Sequence, residues 1–532
     1  MNKHILFLTL VLILNYQGHS CTNLIVTKGA SMDSSTMMVY TNDGEWLYHL
    51  DITPAQDHPE NTWVKYGNDS IKQVAHTYKV IGFQMNEFQL AIGETTFTGR
   101  EELWDKTKPL KYWHLMKLAL LRAKTAREAI QVITSLVEEY GYGSEGESFS
   151  IVDPEEAWIL EMIGTGGKGG AVWVARRIPD GYISAHANMA RIGVFPTDNP
   201  DNCLFSKNII SLAIEKGYYD PGSGKPFQFN KAYNPASPDR LKYCESRVWS
   251  LFRRAAPSQE FNSDYNRGVQ GTERYPLWIK PDEKLSLEDV MNLMRDHYEG
   301  TGLDMTKGLA AGPFGTPFRC RPLFWETDTA KYSWERSISS YNTAFSFIAQ
   351  CKNYLPNDFG IAWFGVDDTY FTCYVPIYCG VTEVPKAFTI GDINKFSRES
   401  MWWAFNFVSN FANLRYSYMI KDIQKTQREL EDKFISEQDS IVSVTKKMNE
   451  IDRKQALTNY TLACGNLTHA KWLELGELLI TKYNDGYIKD ENGRPQQEGY
   501  PEEWKKRVIE NNPEKYLIPD WNKENNIKDL PY

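Results

Sequence analysis

The first apolar run of the chain covers residues 5–14, broken only by Thr9, and follows the short start Met1-Asn2-Lys3-His4. At ten residues it is too short to cross a bilayer, which takes about 20. Polar and small residues come next, with Gly18 and Ser20 at the −3 and −1 positions ahead of Cys21. This pattern predicts a signal peptide over residues 1–20, cleavage after Ser20, and a mature chain that begins at Cys21. Beyond it, short β-rich runs at residues 22–27 and 37–40 flank a turn-like stretch at 31–35. Further strand signals fall at 80–83, 90–92, 149–152, 157–162, 171–175 and 182–185. Helical periodicity is clear at 110–123, just after Pro109, and at 126–140.

Residues 195–239 are rich in Pro, Gly, Asn and Asp and predict a long surface excursion. Residues 285–300 read as helix, 345–350, 361–366 and 370–375 as strands, and 400–451 as helix, aromatic at first and then alternately charged. Strands and helices in separate runs favour α+β layering over a doubly wound alternation. The expected organisation is a leader (1–20), one domain (21–475) and a polar C-terminal extension (476–532) with no assigned role.

Composition narrows the function classes. Hydrophobic content of 42 percent and charge of 24 percent are ordinary for a globular chain. A net charge of −9 and no basic stripe argue against a nucleic-acid partner. No later apolar run is long enough for a membrane span. Eight cysteines in 532 residues are too sparse for a disulfide scaffold, although Cys373 and Cys379 are close enough in sequence to bridge. No HExxH or CxxC spacing occurs, so no metal or other cofactor is expected.

Cys21 is the richest single position. Once trimmed, it carries a thiol and a free α-amine, whose ordinary pKa of about 7.7–8.0 leaves a usable unprotonated fraction near neutrality. Such a residue is a nucleophile with its own base. Two alternatives stand beside this reading. One is a lipoprotein cysteine, for which Gly18 is a poor −3 residue; the other is a structural cysteine.

The stretch from Cys21 to Val26, with Lys28-Gly29-Ala30-Ser31, resembles the mature start of the cysteine dipeptidases of the N-terminal-nucleophile (Ntn) hydrolase superfamily, relatives of the secernins and, more distantly, of penicillin V acylase and bile-salt hydrolase. The resemblance continues in order through Thr41-Asn42-Asp43, Met85-Asn86-Glu87, Gly93-Glu94-Thr95-Thr96 and the run from Asp153 to Glu161. It goes on through His186-Ala187-Asn188, Glu245-Ser246-Arg247-Val248-Trp249, the run from Asp296 to Thr301, and Pro313-Phe314-Gly315, ending near residues 402–415. It implies an αββα sandwich of two antiparallel sheets between helix layers, and a cofactor-free, exported (periplasmic or secreted) hydrolase of dipeptides that can assemble as a homo-oligomer. The alternatives are an N-acyl amide hydrolase and a peptide-binding lipoprotein without activity.

By the same resemblance Asp43 orients the α-amine or binds a substrate ammonium, with Asn42 beside it; ordinary turn chemistry of Asn42-Asp43-Gly44 is the competing account. Asn188 aims its amide at the oxyanion, and Thr96 offers a backbone N–H to it. Glu94 meets a substrate amine or is simply a solvated carboxylate. Arg247 favours the thiolate, or pairs with an acid at the core edge. One departure stands out. The acylases carry an arginine three residues before the Asp, where this chain has Tyr40, so a cation is missing at that point. His186 is expected to be structural, since the α-amine makes another base unnecessary. Asp296, His297 and Glu299 are expected to cap or pair at a helix end.

Overall fold

The computed structural model describes residues 20–66 and 69–518. The expected leader, apart from Ser20, and residues 519–532 of the expected extension lie outside the described residues. The principal strands in chain order are β1 (Thr22–Val26), β2 (Thr36–Asp43), β3 (Ala91–Thr98), β4 (Gly146–Val152), β5 (Ala157–Gly164), β6 (Ala171–Arg177), β7 (Ile183–His186), β8 (Thr343–Cys351), β9 (Ile361–Val366) and β10 (Val375–Tyr378). The principal helices are α1 (Tyr112–Arg122), α2 (Ala126–Tyr140), α3 (Ser246–Ala255), α4 (Met401–Ala412), α5 (Tyr416–Thr445) and α6 (Glu450–Lys482).

The strands form two large antiparallel sheets, as the α+β reading expects. One has seven strands in the order Trp278–Ile279, β7, β1, β2, β8, β9, β10. The other has eight: Cys203–Phe205, β6, β5, β4, β3, Met85–Asn86, Val80–Ile81, Ile52–Thr53. β1 and β2 lie in the middle of the first sheet and are buried on both faces. That explains their near-continuous apolar runs where a half-exposed strand would alternate. α1 and α2 pack on the eight-stranded sheet, and α4 and α6 on the β9–β10 end of the other.

The two sheets touch where the site lies. A Cβ on Gly93 would come within 2.8 Å of Tyr40 Cβ and 2.9 Å of Met38 Sδ. Only glycine lets β3 approach β2 this closely, and the next residue, Glu94, is thereby set against the start of β1.

Several boundaries differ from expectation. The last strand of the first sheet is Val375–Tyr378, because residues 367–372 form a tight turn opened by Asp367 at φ +66° and fastened by Thr372 Oγ1 donating to the Val366 carbonyl at 2.7 Å. The helix expected at 285–300 is only Leu287–Leu293, with a Ser286–Asp289 capping box. Residues 195–239 run largely over the surface, as expected, but are not without structure: they carry strand Cys203–Phe205 and helix Ile209–Glu215 and bury Phe195, Phe227, Phe229 and Tyr233. The helix expected at 400–451 breaks at 413–415 into α4 and α5. α6 runs through the expected boundary at 476 to Lys482. The following tail is tied back by Arg415, which donates to the Gly499 carbonyl at 3.0 Å. Cys373 and Cys379 are free thiols, like every other cysteine.

Candidate active site

Cys21 immediately precedes β1, and the β1–β2 register, Thr22 opposite Thr41, puts it level with Asn42. The side chain is fully buried. Its Sγ donates to Glu94 Oε1 at 3.3 Å and lies 3.8 Å from Asn42 Nδ2. Asn42 Nδ2 also donates to the Tyr40 hydroxyl at 2.6 Å, and that hydroxyl donates to Glu94 Oε1 at 2.5 Å. Asn42 Oδ1 accepts from Trp46 Nε1 at 3.0 Å. Asn42 and Asp43 are strand residues, so the turn account of them fails. Glu94 is sealed from solvent, so the solvated-carboxylate account fails too.

Beside Glu94 is Glu147 on β4, a residue the sequence reading missed. The two carboxyls hydrogen-bond each other, and Thr96 Oγ1 donates to Glu147 Oε2 at 3.0 Å. Burial, and then the Glu94 charge, pushes the Glu147 carboxyl well above its usual range. With residue 20 in place, the Cys21 thiol is likewise pushed well up, first by burial and then by Glu94 and Glu147, with Arg247 pulling weakly the other way.

Arg247 comes from α3, just after a wide π turn at Leu241–Glu245. Among the described residues its guanidinium neither hydrogen-bonds the sulfur nor pairs with an acid. Nη1 donates to the Cys21 carbonyl at 2.7 Å and Thr22 Oγ1 at 3.0 Å, and Nη2 to the Ala187 carbonyl at 3.2 Å and Asn188 Oδ1 at 3.0 Å. The arginine therefore fastens the start of β1 to the segment after β7. Asn188 sits there in the left-handed region, φ +63°, which asparagine tolerates better than most residues. Its Nδ2 donates to the Thr96 carbonyl at 2.9 Å. The β3–β4 register shifts between Thr96 and Thr98, a bulge of the kind that re-aims backbone groups. All seven sequence candidates (Cys21, Asn42, Asp43, Glu94, Thr96, Asn188 and Arg247) thus belong to one connected network.

The missing cation is also here. Asp43 accepts from Thr343 Oγ1 at 2.6 Å and pairs with Arg336, both partners buried. Arg336 Nη2 also donates to the Ser20 carbonyl at 3.1 Å. Burial draws its pKa down to about 10, partly restored by Cys21. Nothing in Glu335-Arg336-Ser337 distinguishes this arginine in sequence; only the fold carries it to the end of β2. Ser20 is bonded through its hydroxyl to Tyr243, whose ring lies 5.7 Å from Phe324.

His186 accords with its structural assignment. Its ring nitrogens meet Thr95 Oγ1 and Ser150 Oγ, each at 2.7 Å, and burial takes its pKa down to about 3. Asp296 pairs with Arg253 and Arg254, and His297 with Glu299. Among the described residues no group of three or more His, Cys, Asp or Glu side chains is placed to hold a metal ion, and no helix is long and apolar enough to cross a membrane.

Comparison with known proteins identifies the family. Residues 49–429, well over half the chain, match peptidase family C69. The chain belongs to this family. Its relatives include a probable dipeptidase of Salmonella dublin, 26% identical over 71% of this chain and 84% of that protein. A probable dipeptidase of Latilactobacillus sakei is 23% identical over 81% of this chain and 91% of its own length. Dipeptidase A of Lactobacillus helveticus is 23% identical over 82% and 88%. The C69 match starts after Cys21, Asn42 and Asp43, so those three rest on geometry and on the sequence resemblance.

Proposed function

We propose that this C69 peptidase is an exported cysteine dipeptidase, made with a leader over residues 1–20 and active once cleavage exposes the α-amine of Cys21. One observation carries the reading: Cys21 is the residue on which Asn42, Glu94 and Arg247 converge directly, with Asn188 bonded to Arg247, Thr96 bonded to Asn188, and Asp43 paired with the Arg336 that holds the Ser20 carbonyl. The dipeptidase relatives support the substrate class. Two antiparallel sheets in contact, with helices packed on each, support the αββα layering of an Ntn hydrolase.

In this mechanism the α-amine takes the thiol proton and the thiolate attacks the carbonyl carbon of the scissile bond. The amine returns that proton to the leaving amine, then activates the water that hydrolyses the thioester. Asn188 Nδ2, held at the Thr96 carbonyl at 2.9 Å, and the Thr96 backbone N–H are the two groups that meet the oxyanion in this reading. Arg247 holds both Asn188 and the Cys21 carbonyl in place. Asp43 and Arg336 flank the new terminus, the carboxylate holding the ammonium between proton transfers. Removal of Ser20 takes away the carbonyl that Arg336 binds and opens the approach to sulfur.

N-terminal sequencing of the exported protein and turnover of Cys21→Ala test this together. The expected result is a terminus at Cys21 and no measurable dipeptide hydrolysis by the alanine variant, with its circular dichroism unchanged. Full activity in that variant, or in a chain still carrying its leader, rules the mechanism out. A preference for N-acylated amides over free dipeptides would move the enzyme to the acylase class.

A further inference from the structure

We propose that the Glu94–Glu147 carboxyl pair is the subsite that reads the substrate's free α-ammonium, giving up a shared proton as that cation binds. This rests on Cys21 being the nucleophile. The first ground is distance. A reacting carbonyl carbon must approach Sγ to about 3–3.5 Å. With bonds of about 1.46 and 1.52 Å on either side of Cα, the α-nitrogen of the same residue lies about 2.5 Å from that carbon. Glu94 Oε1 is 3.3 Å from Sγ. An α-nitrogen turned toward β3 therefore comes within hydrogen-bond reach of the carboxyl.

The second ground is charge. Two carboxyls that hydrogen-bond each other must hold a proton between them, and like charges in a buried site do not both ionise. The titratable groups that face the pair include the Cys21 thiol and Tyr40 from the β1–β2 side, Tyr112 from α1, and Tyr142 and Glu145 from the segment entering β4. A substrate ammonium supplies the opposite charge that allows both carboxyls to ionise, and the proton leaves to solvent. Thr96 Oγ1 on Glu147 and Tyr40 on Glu94 fix the two carboxyls from opposite sides.

The consequence is selectivity. An N-acylated or des-amino substrate brings no charge to the pair and displaces no proton. The pair thus accounts for a preference for free N-termini that nucleophile and oxyanion groups alone do not provide.

The test uses full-length, processed Cys21→Ala protein and two ligands, alanyl-alanine and its des-amino analogue propionyl-alanine. Calorimetry at pH 6, where the dipeptide amine is fully charged, is run in two buffers of different ionisation enthalpy. Alanyl-alanine is expected to release about one proton on binding, and propionyl-alanine to bind at least about tenfold more weakly with no release. Glu147→Gln in the same background removes the release and most of the discrimination. Should that variant not fold, Glu94→Gln and the two-ligand comparison in the parent still decide. Equal affinity for the two ligands, proton release that persists in the carboxyl variants, or no dipeptide binding overturns the proposal. Failure of the nucleophile reading shows separately, as turnover by the alanine protein itself.

Discussion

The Arg336 guanidinium and the Asp43 carboxylate form an ion pair sealed from water at the end of β2, next to the peptide bond that joins Ser20 to Cys21. A buried pair is a poor source of net stability, but breaking it leaves one uncompensated charge. Arg336→Met is therefore expected to destabilise the protein by about 3–5 kcal/mol, whereas Arg336→Met with Asp43→Leu recovers most of that loss. Both variants are expected to be inactive, because neither holds the Cys21 amine. Urea midpoints across this double-mutant cycle check it. A double variant as unstable as the single one would mean that packing, not charge, dominates at this position.

Asn188 and Arg247 are expected to act as a unit. Asn188→Gly removes the amide while keeping the left-handed backbone free of strain, so it isolates the chemical role. Loss of one oxyanion donor typically costs about 10²–10³ in kcat, and that is the expected drop, with KM little changed. Arg247→Lys cannot fork to both the Cys21 carbonyl and Asn188 Oδ1 and is expected to lose kcat to a similar extent. Combining the two should cost little beyond either alone. Steady-state kinetics of the three variants give the answer, and fully additive losses would refute the coupling.

Much of this site was readable in sequence because its members occur in short ordered runs at strand ends. Cys21 opens β1, Asn42 and Asp43 close β2, Glu94 and Thr96 alternate on β3, and Asn188 follows β7. Arg336 and Glu147 were not readable. Arg336 has no local pattern around it, and its partner is set only by the pairing of β8 with β2. Glu147 lies in a strand where polar Glu147, Ser148 and Ser150 are all buried, so no alternation marks it as facing β3. The short extent of helix Leu287–Leu293 and the aromatics buried within residues 195–239 were not readable because local composition cannot report tertiary burial.

Thr96 separates backbone from side-chain roles. Its carbonyl holds Asn188, and its hydroxyl donates to Glu147. Thr96→Val keeps the backbone and the shape, so kcat is expected to stay within about threefold of wild type, far from the loss at Asn188. Removing a donor from a buried carboxyl costs about 1–3 kcal/mol, so thermal stability is expected to fall measurably. A kcat loss as large as that of Asn188→Gly would place the hydroxyl itself in the oxyanion site.

Three buried groups give the stability of the protein opposing pH slopes. His186 has a folded pKa of about 3 against an ordinary 6.5, through burial and then Arg191. Below pH 6.5 the unfolded chain takes up a proton that the folded chain refuses. Stability is thus full above about 6.5 and falls as pH drops toward 3, at up to about 1.4 kcal/mol per unit. Glu161, raised to about 7 by burial, and Asp367, also about 7, run the other way. Each keeps its proton in the fold while the unfolded chain has released it, so their contribution is full near pH 4 and is lost as pH rises to about 7. Between pH 4.5 and 6.5 the slopes partly cancel. His186→Gln removes the histidine term, and its urea midpoint is then expected to decline steadily from pH 4.5 to 7, where wild type is flatter. Identical pH profiles for variant and wild type would mean that His186 is protonated in the folded state, and its assignment as a neutral bridge between Thr95 and Ser150 would be wrong.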